Sequence, residues 1–78
     1  MAETTRELAE IDGQEESYQL TLSRTNHNQR WSATVHYDGK ERYISQNLLV
    51  SDPGSETAMR VLAENAFRDL YQELHPAS

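Results

Sequence analysis

The sequence predicts an α+β fold: a three-stranded antiparallel sheet packed by one long C-terminal helix, with a short helix ahead of the strands (αβββα). Three observations predict it. Residues 17–23 and 30–37 alternate polar and apolar side chains with a period of two, as a strand with one buried face does. Asp38-Gly39 follows the second of these segments, and Asp-Gly is a strong hairpin signal because glycine accepts positive φ without steric cost. From Ala58 to Leu74, apolar residues recur at helical spacing.

The elements follow in order. Thr4-x-x-Glu7 has the spacing of a capping box, and Leu8 and Ile11 lie three apart. This reads as a short helix over 5–11. Two turns of helix are marginal in water, so the segment must dock or fray. Gly13 ends it, and Gln14-Glu15-Glu16 reads as a solvated connector within an acidic segment, 1–16. The sheet is expected over 17–48. Tyr18, Leu20 and Leu22 form the apolar face of the first strand, and Trp31, Ala33, Val35 and Tyr37 that of the second. Asn26-His27-Asn28-Gln29 between them reads as a turn. The third strand runs from Lys40 to about Leu48. A two-residue turn sets Ile44 beside Ala33, whereas a turn bulged at Gly39 sets Tyr43 there. The bulged form buries the larger ring and is the reading adopted. The helix is expected over 52–74, with Asp52 as N-cap, Pro53 at the first helical position and His75-Pro76 as the stop.

Length and composition narrow the function. Seventy-eight residues with 36% apolar content make one domain, 1–78, with a thin core. The chain holds no cysteine, so disulfides and thiolate metal sites are excluded and a cytoplasmic setting is expected. No apolar run is long enough to cross a membrane. The net charge of −6 is uneven: residues 1–16 carry six acids against Arg6, while 17–50 carry Arg24, Arg30, Lys40 and Arg42 against Asp38 and Glu41. An acidic chain without a concentrated basic face does not suit nucleic acid, but it suits a basic surface on another protein.

Catalytic chemistry has no visible carrier. His27, His36 and His75 match no zinc-ligand spacing, and no serine lies in a nucleophile elbow. No phosphate-binding glycine loop is present. The sequence therefore reads as non-enzymatic, without cofactor or metal. Two surfaces are candidates for protein binding. One is the acidic stretch Glu7, Glu10, Asp12, Glu15 and Glu16. The other is the polar strand face carrying Arg30, Thr34, His36 and Glu41, joined by Tyr43 if that ring is exposed. Val61 and Tyr71, at the edges of the helix stripe, would suit a homodimer through paired helices.

Two families resemble this chain. The helix–strand–strand–strand–helix order is similar to a double-stranded RNA-binding domain. Tyr18-x-Leu20, His27 four residues before Trp31, and Ala33-x-Val35-x-Tyr37-x-Gly39 look like that family's first two strands, and Ala58 through Leu70 like its second helix. Where that family places lysines to grip phosphates, this chain has Ser55-Glu56-Thr57. The glycine-rich third strand is also missing. This resemblance implies the fold and speaks against RNA binding by it.

Asp38-Gly39-Lys40 ending one strand, and Ser51-Asp52-Pro53-Gly54 opening a helix with Ala58, Ala63 and Ala66, resemble small phage-encoded anti-CRISPR proteins that inhibit type I systems. That resemblance, over about residues 30–67, implies a stoichiometric inhibitor that docks on a CRISPR effector subunit. The alternatives are a degenerate RNA-binding module using Arg24, Arg30, Lys40 and Arg42, and an antitoxin-like regulatory subunit.

Overall fold

The computed structural model describes residues 2–25, 30–48 and 53–76. Four strands and one helix make up the fold: β1 (Ala2–Ile11), β2 (Gln14–Thr25), β3 (Arg30–Tyr37), β4 (Lys40–Gln46) and α1 (Ser55–Leu74). The strands form one antiparallel sheet in the order β1-β2-β3-β4. The class is α+β, as the alternation and the helical stripe predict, with one strand more than expected.

The additional strand is the N-terminal segment. Residues 2–11 are extended, not helical, and Gln14-Glu15-Glu16 begins β2 instead of connecting to it. A short helix here would gain little alone. The strand gains a continuous ladder against β2, from Ala2 opposite Ser23 to Ile11 opposite Gln14. The hairpin turns on Asp12-Gly13, where φ is 52° and 81°. Asp38-Gly39 repeats the arrangement at 52° and 75°. Positive φ at both central residues defines the mirror-image type I turn, whose twist matches that of the flanking strands.

The second turn fixes the β4 register. Tyr37 pairs with Lys40, so Ile44 lies opposite Ala33 and Tyr43 opposite Thr34. The bulged alternative is therefore wrong. With no bulge, Ile44 packs against the core and Tyr43 stays 67% exposed. The extra apolar area of the ring does not decide the register, because the turn geometry does.

The core is the interlayer between the sheet and α1. Tyr18, Leu20, Leu22, Trp31, Ala33 and Val35 from the strands meet Met59, Ala63, Phe67 and Leu70 from the helix. Phe67 stacks on Tyr18 at 4.3 Å and meets the edge of Tyr37 at 5.1 Å. The helix begins at Ser55 with Gly54 as its N-cap and no side-chain cap bond, and the first backbone bond runs from the Ala58 N–H to the Gly54 carbonyl at 3.0 Å. Pro53 thus precedes the cap and does not occupy the first turn. Asp52, like the turn expected at 26–29 with His27, lies outside the described residues. The expected stop holds: His75 caps the helix, its N–H bonding the Tyr71 carbonyl at 2.8 Å. No helix among the described residues is long and apolar enough to cross a membrane.

Candidate functional site

The helix covers one face of the sheet and leaves the other open. Side chains alternate across a strand, so the residues between the core positions form the second face. Unbroken registers then align them into rows across the strands. Arg6, Gln19, His36 and Glu41 form one row, and Thr4, Thr21, Thr34 and Tyr43 form the next. Hydrogen bonds knit the rows. The Thr4 and Thr21 hydroxyls meet at 3.0 Å, and Thr21 Oγ1 lies 3.4 Å from His36 Nε2. His36 Nδ1 sits 3.6 Å from Glu41 Oε1. Arg6 donates to the Ser17 hydroxyl at 3.1 Å, and Arg30 Nε to Asn47 Oδ1 at 2.8 Å. The result is a polar face whose side chains hold one another in place, with two exposed large apolar groups among the described residues, Tyr43 on the edge strand β4 and Leu8 on the opposite edge strand β1.

This arrangement brings together Arg30, Thr34, His36, Glu41 and Tyr43, the strand-face candidates of the sequence. It divides the acidic stretch. Glu10 and Glu15 are direct cross-strand partners near the β1–β2 turn, and both are exposed. Asp12 sits in the turn itself. Glu7 and Glu16, by contrast, face the helix. The Glu7 carboxylate is ion-paired with Arg60 and accepts from the Thr5 hydroxyl at 2.9 Å. Glu16 accepts from the Tyr37 and Tyr71 hydroxyls at 3.5 and 3.4 Å. These two acids fasten the sheet to the helix. A helical reading of 5–11 hides this, because strand alternation is what separates Glu7 from Glu10.

Sequence reasoning missed Thr4, Arg6, Gln19 and Thr21. Asp12-Gly13 is the signal that finds them, since it is the same dipeptide as Asp38-Gly39 and implies a hairpin in 2–25.

The four cations of the middle segment do not form a stripe. Arg30 is on the open face. Lys40 and Arg42 belong to the opposite, helix-side alternation of β4, and Arg42 pairs with Glu73. Arg24 lies 6.0 Å from the centre of the Trp31 ring. Tyr71, expected at the helix edge, is half-buried beside Tyr37 and His75, with ring centres 5.8 and 4.5 Å away. Val61 is 55% exposed. Among the described residues no group of three His, Asp or Glu side chains is placed to hold a metal ion.

No family model matches this chain, and no curated protein or solved structure matches it either.

Proposed function

We propose that this chain is a binding protein without catalytic activity that docks the open face of its sheet onto another protein and blocks that protein's work. The observation that carries the reading is the one-sided cover of the sheet. It leaves Tyr43 exposed opposite Thr34, with His36 and Glu41 on the same face, among hydrogen-bonded polar side chains. Exposed tyrosines on pre-ordered surfaces are frequent anchors of protein interfaces, because burying the ring costs little side-chain entropy. The face carries both signs of charge, Arg6 and Arg30 as well as Glu10, Glu15 and Glu41, which supports a protein partner. The division of Arg24, Arg30, Lys40 and Arg42 between the two faces disfavours duplex RNA, which needs a continuous basic stripe. The resemblance to anti-CRISPR proteins supplies the partner class: a subunit of a type I CRISPR effector in the bacterial cytoplasm.

The test is complex formation with purified type I effector complexes. A stable complex that survives gel filtration and lowers target-DNA cleavage is expected. Tyr43→Ala and Thr34→Arg should each weaken it at least about ten-fold, while Glu15→Lys, at the rim, should change affinity little. The reading fails if a representative panel of effectors shows no binding, or if the chain instead gives a salt-dependent gel shift with duplex RNA.

A further inference from the structure

The geometry points to a second interaction surface: the free edge of β1, where two copies of this chain join their sheets into one through antiparallel β1–β1 pairing. β1 is ten residues long and lies at the edge of the sheet. Edge strands are usually blunted by charged side chains, bulges, proline or a covering element. β1 has no proline and its ladder with β2 runs unbroken, and its charges, Arg6 and Glu10 on one face and Glu3 and Glu7 on the other, admit a second copy only in a register that matches their signs. The helix packs mainly over β3 and β4 and reaches β1 through side chains such as Arg60 and Arg68.

The turn decides which backbone groups face out. The two-residue turn makes Ile11 and Gln14 the pair that exchanges both backbone bonds. Alternation then turns Ala9, Glu7, Thr5 and Glu3 toward β2. Thr4, Arg6, Leu8 and Glu10 turn their N–H and C=O outward. The Arg68 guanidinium, which donates to the Glu10 carbonyl at 2.6 Å, reaches that oxygen from this side. A carbonyl keeps a second lone pair for a strand N–H.

The side chains select a register. A two-fold axis at Leu8 sets Leu8 against Leu8 of the other copy and, on both sides of it, Arg6 against Glu10. On the helix side the same register sets Glu7 against Ala9 and Thr5 against Ile11. An axis at Arg6 would oppose two arginines, and one at Glu7 would oppose two carboxylates at the closest spacing a sheet allows. An axis at Ala9 shortens the paired segment and sets Leu8 against Glu10. Only the axis at Leu8 matches opposite charges twice and covers the apolar side chain at its centre. Leu8 is 56% exposed. It shares a cleft at this edge with Val61, so two of the three exposed large apolar residues among those described border the proposed contact. The contact is isologous and closes at two copies. It does not depend on the docking role of the β3–β4 face.

Sedimentation equilibrium from about 1 µM to about 1 mM tests it. A monomer–dimer equilibrium is expected. Arg6→Glu and Glu10→Arg should each weaken the dimer at least about ten-fold, since each opposes like charges twice. An equimolar mixture of the two variants should restore it, because an acidic row then meets a basic one. The backbone N–H groups of Arg6, Leu8 and Glu10 should exchange with solvent more slowly as concentration rises. A chain that stays monomeric throughout overturns the proposal, as it would if the edge accepted only a strand of another protein. So does a dimer indifferent to both variants, or outward N–H groups that exchange fast at every concentration.

Discussion

The indole N–H of Trp31 donates to the hydroxyl of Ser55 at 2.9 Å, inside the protein, and so bonds the start of β3 to the first residue of the helix. Both residues are buried. Helix N-termini leave backbone donors unmatched, and this one has no side-chain cap bond. Its position is fixed instead by a side-chain bond to the sheet. Ser55→Ala leaves the indole N–H buried without that acceptor and should cost about 1–3 kcal/mol. In a domain of this size the melting temperature should fall by roughly 4–8 °C per kcal/mol. Thermal unfolding followed by Trp31 fluorescence measures it.

Phe67 is the largest fully buried side chain of the interlayer among the described residues. It is stacked on Tyr18 and edge-on to Tyr37. Phe67→Ala should cost about 3–5 kcal/mol, a large part of what a core this small supplies. Loss of a cooperative urea transition, or a midpoint shifted close to zero denaturant, is the expected readout.

Alkaline pH should destabilise the fold through its tyrosines. Burial, and after it the nearby Glu64 and Glu7 carboxylates, push the Tyr18 hydroxyl above its usual value. Tyr37 is raised by burial and then by Glu16. Above about pH 10 the unfolded chain has lost these protons while the folded chain keeps them. The unfolded state then binds fewer protons, so stability falls as pH rises. It is complete below about pH 10 and is lost as pH climbs through the raised folded values. Urea titrations at pH 8, 10 and 11 should show the decline, and Tyr18→Phe should flatten it.

The two Asp-Gly turns make a backbone prediction. A Cβ added at Gly13 or Gly39 meets nothing within 4 Å. Alanine at either position should therefore cost about 1–2 kcal/mol from positive φ alone. D-Alanine, introduced by chemical synthesis, prefers that region and should restore or exceed the parent stability.

Much of this architecture is legible in the residues, and the exceptions have physical causes. Strands β2 and β3 and the helix show because each has one buried face of the right period. Segment 2–11 does not. Its helix-side positions read Glu3, Thr5, Glu7, Ala9 and Ile11, and two carboxylates in that series erase the alternation. Glu7 is tolerated there because Arg60 meets it from the helix, a pairing between residues 53 apart that no local pattern announces. The same gap explains the site. Arg30, Thr34 and His36 are placed correctly by alternation within β3 alone. Tyr43 needed the turn type, and Arg6 and Thr4 needed β1 to be a strand at all.

The meander order has a consequence for how the chain reaches this state. Each strand lies beside its neighbour in sequence, so the sheet forms by short loop closures, two of them spanning only two residues. Short closures cost little chain entropy and favour rapid folding. Helix docking is the long-range step, joining Ser55 to Trp31 and Arg60 to Glu7. During synthesis the four strands emerge before the helix does. The nascent sheet therefore presents Leu20, Trp31 and Val35 bare until the last third of the chain arrives, and in that interval the protein is most exposed to aggregation and to chaperones.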